Sequence, residues 1–141
     1  METQRTTSAT SIEENINLVK STYDCFFRGD MEGLLSCHTD DIDWEVYGPA
    51  ELPAGGPFPG KAEVRKFFEK IDELLEFDNF EIHQYIAQGN NVVSLGEYSC
   101  TSKVTDKKFN AQFAHVVTIR DGKIYKFREY TDTAAALQAM T

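Results

Sequence analysis

The sequence holds only three cysteines, Cys25, Cys37 and Cys100, and no C-x-x-C pair. An odd, widely spaced set argues against a disulfide framework and against a zinc ribbon. Buried free thiols in a reducing cytosol are the simpler reading, and a cytoplasmic protein is expected. The three histidines, His38, His83 and His115, show no short ligand spacing and no H-E-x-x-H, so no metal is expected. No glycine-rich phosphate loop follows a strand pattern, so no nucleotide is expected either, and any chemistry would run without a cofactor. No apolar run approaches the ~18 residues of a membrane span. Positive charge is scarce, with 14 Lys and Arg against 23 Asp and Glu and a net charge of −9. That balance opposes binding to nucleic-acid phosphates and to anionic membranes.

Aromatic residues are plentiful, with 10 Phe and 6 Tyr in 141 residues. Large aromatics fill cores and also line pockets for apolar ligands. The length suits one domain. Residues 1–11 are polar, rich in Thr and Ser, and lack the apolar centre of a secretion signal. They read as a disordered tail ahead of a single domain over residues 12–141.

Ser11 and Glu14 form a capping box that starts a helix. Ile12, Ile16, Val19, Tyr23, Phe26 and Phe27 follow at helical spacing. Gly29 ends this helix, Asp30 caps a second over 31–38, and Asp40 and Asp41 mark a turn. Ile42, Trp44 and Val46 then alternate with polar residues, as a half-buried strand requires. Residues 48–60 hold all four prolines and form the one long irregular stretch, either a binding lid or a plain connector. A third helix spans 61–76, with Val64, Phe67, Phe68, Ile71, Leu74 and Leu75 on its apolar stripe. Strands follow over 80–87, 92–104, 109–120 and 123–131, the last two joined by the hairpin signal Asp121-Gly122. Asp132 or Thr133 caps a final helix ending near Met140. The order α-α-β-α-β-β-β-β-α gives an α+β class, a curved mixed or antiparallel sheet wrapped around three helices as a cone.

Four segments carry a family resemblance: Phe27-Arg28-Gly29-Asp30-Met31-Glu32; Asp43-Trp44-Glu45-Val46 before the Gly/Pro loop; Gly60 to Phe68; and His115 to Ile124, running on through Phe127 to Thr133. On these the chain resembles the nuclear transport factor two-like superfamily (cystatin-like cone), and within it the SnoaL-like group related to ketosteroid isomerases. The resemblance implies a cone enclosing a pocket for a small apolar molecule, and a homodimer through the outer sheet face. It also implies several reaction types, since this fold hosts isomerases, dehydratases, cyclases, hydrolases and non-enzymes.

His115 is the first candidate catalytic residue, with Phe113, Val117 and Ile119 on its face of the strand. The resemblance aligns it with the oxyanion-hole aspartate of ketosteroid isomerases; the alternative is a satisfied core histidine. Arg128, Tyr130 and Asp132 alternate on one face of the last strand, while Glu129 and Thr131 point the other way. Asp132 and Arg128 are therefore the expected partners of His115, and the spacing from His115 to Asp132 resembles that of SnoaL-type polyketide cyclases. Asp132 reads equally well as the cap of the last helix. Tyr23, Trp44, Phe67, Phe113 and Tyr130 are the expected ligand-binding residues. The isomerases' helix-one tyrosine and general-base aspartate align with Thr22 and Val46, so steroid isomerisation is not expected. The dehydratase branch's Tyr-Asp pair corresponds only loosely to Tyr23-Asp24, with His83 out of phase. Asp40, Asp41, Asp43 and Glu45 read as a solvated turn. The expectation is a cofactor-free isomerase, cyclase or dehydratase acting by proton transfer on an apolar carbonyl or polyketide-like substrate. The alternatives are a non-catalytic carrier of a small ligand and a dimeric protein-interaction domain.

Overall fold

The computed structural model describes residues 9–141, with side chains from Ser11 onward. Most of the expected tail, residues 1–11, lies outside the described residues. Helix α1 (Ala9–Arg28) begins before Ser11, so Ser11 lies inside the helix and not at its cap. Val19 and Tyr23 turn inward from α1 and are almost fully buried. Gly29, at φ 72°, closes the helix. Its N–H donates to Phe26 O (3.1 Å) and the next N–H donates to Cys25 O (2.8 Å), which satisfies two end carbonyls in a left-handed cap. Asp30 then caps α2 (Met31–Ser36) by accepting from Gly33 N at 2.9 Å.

Strand β1 (His38–Val46) starts directly after α2. Asp40 and Asp41 lie within this strand, not in a turn, and the β1 register is irregular between His38 and Asp43. The Gly/Pro stretch contains a short strand, β2 (Gly56–Pro59), antiparallel to β1. Its prolines are tolerated because β2 is the sheet's edge, where a missing N–H interrupts no ladder. Helix α3 (Gly60–Leu74) passes without a turn into β3 (Leu75–Gln88). Strands β4 (Asn91–Ser102), β5 (Lys108–Arg120) and β6 (Lys123–Thr131) complete the sheet before α4 (Thr133–Met140). The observed order therefore gains one strand over the expected one.

The mixed six-stranded sheet runs β2-β1-β6-β5-β4-β3. Among the described residues only the β1/β6 pair is parallel. One irregularity decides the geometry of the site. Beside the Asp121-Gly122 turn, Arg120 pairs with Lys123 and Ile119 with Ile124, but Thr118 pairs with Lys126. Tyr125 is therefore an extra residue, a β-bulge, and every later residue of β6 is moved to the opposite face from the one a regular hairpin would give. Further along the sheet, a side chain at Gly96 would sit 2.1 Å from Glu81 O and 2.7 Å from Phe113 Cζ, so only glycine lets β3 and the Phe113 ring close on this strand.

Candidate functional site

Between the sheet and the helices lies a cavity of about 130 Å³, to which α1, α2, α3 and α4 contribute. Its wall is mainly aromatic. Phe127 stacks on Trp44 with ring centroids 3.7 Å apart, and Phe67 meets Trp44 at 5.3 Å. Leu52, Pro53 and Ala54 of the Gly/Pro stretch also line it. Ala54 holds φ 62°, a left-handed conformation that costs a β-carbon residue about 1 kcal/mol or more.

Five polar side chains of this lining are connected. The Tyr23 hydroxyl lies 2.6 Å from His115 Nδ1, and His115 Nε2 lies 2.9 Å from Glu129 Oε2. Tyr98 Oη reaches the same Glu129 oxygen at 3.2 Å and Thr131 Oγ1 at 2.9 Å. Thr131 in turn donates to Gln112 O at 2.9 Å. A carboxylate only accepts, so Nε2 carries a hydrogen; in the neutral imidazole Nδ1 then accepts from the Tyr23 hydroxyl. The relay is held by tertiary packing: Tyr23 comes from α1, His115 from β5, Glu129 from β6 and Tyr98 from β4. His115 and Glu129 are direct cross-strand partners, so their side chains share a face. Burial pushes both tyrosine phenols well above their ordinary pKa, and the negative charge of Glu129 adds to the effect, so both remain protonated at neutral pH. His38 also lines the cavity. Its Nδ1–H donates to Leu34 O at 2.8 Å, and burial pushes its pKa down to about 4, leaving a neutral ring.

His115 is 7% exposed, lines the cavity, and stands at the centre of the relay. Tyr23, Trp44 and Phe67 also line the cavity. Phe113 does not; it is buried between Tyr98 (5.4 Å) and His115 (4.2 Å), stacking on both. The expectation that Arg128, Tyr130 and Asp132 face inward is corrected, because the Tyr125 bulge places Arg128 and Tyr130 on the outer face. Arg128 donates to both carboxylate oxygens of Asp43 (2.9 and 3.2 Å) and to Tyr47 Oη (3.1 Å). Tyr130 is 48% exposed and packs its ring on Tyr47. Asp132 caps α4, accepting from Ala135 N at 3.0 Å. Glu129, Thr131 and Tyr98 take the inner positions that sequence reasoning missed. The alternation of β6 carried the signal for Glu129 and Thr131, but not which of its two faces was inner.

An aromatic-walled cavity between a curved sheet and its helices, with hydrogen-bonded polar side chains in the wall, belongs to an α+β fold of the cone type. The solved structures agree. An NTF2-like protein from Burkholderia xenovorans is 31% identical, matching over 93% of this chain and 98% of that chain with a TM-score of 0.86. An NTF2-like protein of unknown function from Burkholderia pseudomallei is 26% identical over 91% of this chain and 98% of that one, with a TM-score of 0.82. TerC, co-crystallised with polyporic acid, is 26% identical over 90% of this chain and 98% of that one, with a TM-score of 0.81. No curated protein matches significantly. The SnoaL-like domain family matches residues 19–127, and the chain belongs to that family. Among the described residues, no helix is long and apolar enough to cross a membrane.

Proposed function

We propose that the cavity is a cofactor-free acid–base site for a small apolar carbonyl or polyketide-like molecule, working by isomerase, cyclase or dehydratase chemistry. The observation that carries this reading is the Tyr23–His115–Glu129 relay set into an apolar wall. In this reading Glu129 takes a proton from the carbon next to the substrate carbonyl and, as the carboxylic acid so formed, returns it to the enolate oxygen or to another carbon; His115 holds the carboxylate in position, and Tyr23 keeps the imidazole in the required tautomer. A positioned carboxylate in a low-dielectric pocket is a suitable base for a carbon acid next to a carbonyl. TerC, 26% identical, has been crystallised with polyporic acid, which supports a small organic ligand for this fold.

The test is solvent deuterium exchange at the carbon next to the carbonyl of a cyclic aryl ketone such as tetralone, followed by NMR. Wild type is expected to accelerate exchange, and Glu129→Gln to lose a factor of about a hundred or more. Tight binding of the ketone without any exchange would sink the catalytic reading and leave a carrier of unchanged ligand.

We further read the protein as a cytoplasmic homodimer joined through its outer sheet face. Tyr47 and Tyr130, 41% and 48% exposed with rings 5.1 Å apart, lie beside Arg128 there, the residue types that anchor interfaces. Three unpaired cysteines fit a reducing compartment.

A further inference from the structure

The relay also restricts what the cavity can hold, which extends the acid–base reading above. Among the polar side chains of the lining, the accessible donors are already used. With the imidazole neutral, the Tyr23 hydroxyl donates to His115 Nδ1 and the His115 Nε2–H donates to Glu129. The Tyr98 hydroxyl donates to Glu129 or to Thr131, and Thr131 donates to Gln112 O. Thr22 donates to Val19 O at 2.6 Å, and the His38 Nδ1–H donates to Leu34 O. Among the described residues the Trp44 indole N–H has no partner, but its nitrogen is fully buried and so is not open to the cavity.

The unused capacity is all acceptor. Glu129 lines the cavity with 12% of its side chain accessible, and among the described residues only its Oε2 is hydrogen-bonded. Its Oε1 is therefore free to accept. His38 Nε2 adds a further lone pair. Among the described residues no lysine or arginine lines the cavity, and Glu129 is the one carboxylate there. A ligand carboxylate entering here would lose its hydration, meet a negative charge and find no free side-chain donor. A ketone oxygen would find no free side-chain donor either. A hydroxyl hydrogen would meet a free carboxylate oxygen in a low-dielectric wall, a charge-assisted bond of the stronger kind.

We propose that this cavity selects a neutral molecule presenting a hydroxyl hydrogen, such as an alcohol, phenol or enol, to Glu129, and discriminates against carboxylates and simple ketones. For a carbonyl substrate, the form held best is then the enol.

Three matched probes test this by titration calorimetry at mildly alkaline pH: tetralol, tetralone and tetralin carboxylate. In wild type, tetralol is expected to bind about tenfold or more tighter than tetralone, with the carboxylate weakest. In Glu129→Gln the amide offers a donor, so the alcohol–ketone gap is expected to shrink to about twofold and carboxylate binding to strengthen. Carboxylate or ketone binding in wild type as tight as the alcohol overturns the selectivity while leaving the cavity reading intact. An alcohol–ketone gap unchanged in a folded Glu129→Gln also overturns it. If that variant does not fold, the wild-type order decides alone. If none of the probes binds, the cavity reading fails, and this inference with it.

Discussion

Acidification should destabilise this protein through one buried histidine. His38 is 2% exposed, and its ring stacks obliquely against Trp44 at 5.7 Å. Burial holds its pKa near 4, against 6.5 ordinarily; Lys61 and Lys123 push in the same direction, and the hydrogen bond to Leu34 O opposes them. Between those two values the unfolded chain binds a proton that the folded chain refuses. The stability contributed by the neutral ring is complete above about pH 6.5 and is lost as pH falls toward about 4. At roughly 1.4 kcal/mol for each pH unit of that gap, the loss is on the order of 3 kcal/mol, a large share of the stability of an ordinary domain. The assay is urea unfolding followed by the fluorescence of Trp44, the single tryptophan, across this pH range. The comparison is with His38→Gln, which keeps a donor for Leu34 O but does not titrate. Other titrating groups are common to both proteins, so the stability difference isolates His38. Wild type is expected to lose about 3 kcal/mol relative to the variant on going from about pH 7 to about pH 4. A difference that stays constant to within ~0.5 kcal/mol over that range would refute the argument, because the imidazole would then be taking up its proton equally in both states.

Two further outcomes follow from the outer face of the site. Asp132→Ala is expected to cost about 1 kcal/mol by removing the cap of α4, measured as a lower unfolding midpoint, with probe affinity unchanged. A tenfold loss of affinity would mean that Asp132 reaches the ligand after all. Light scattering is expected to give twice the 16.0 kDa chain mass for wild type, and Tyr130→Asp to reduce it to one chain. A monomeric wild type rules out the outer-face dimer.

Much of the architecture was legible because it rests on local chemistry. The helical spacing of Val19 and Tyr23, the Asp30 cap and the Asp121-Gly122 turn each act within a few residues. The boundaries that moved had no such local signal. Helix α3 runs into β3 because Leu74 and Leu75 suit either element, and tertiary packing decides between them. Strand β2 was hidden by its prolines, which weigh against a strand except at an edge, and an edge is known only once the sheet is assembled. For the site, His115, Tyr23, Trp44 and Phe67 could be picked out by type and periodicity, and all four line the cavity. Asp132 carried two readings in sequence, and the cap geometry selects one for the folded chain.

By itself the sequence determined the element types, their order apart from one edge strand, an aromatic interior, and the alternation of Arg128, Tyr130 and Asp132 against Glu129 and Thr131. Only the tertiary structure decided which of those two sets faces the cavity. Side chains alternate with a period of two along a strand, so a single inserted residue exchanges the faces. Tyr125 is that residue, and whether a strand bulges depends on its packing against both neighbours, β1 and β5. The bulge sets Glu129 opposite His115, where a regular hairpin would have set Arg128, and so places a carboxylate in the cavity wall and leaves the guanidinium outside.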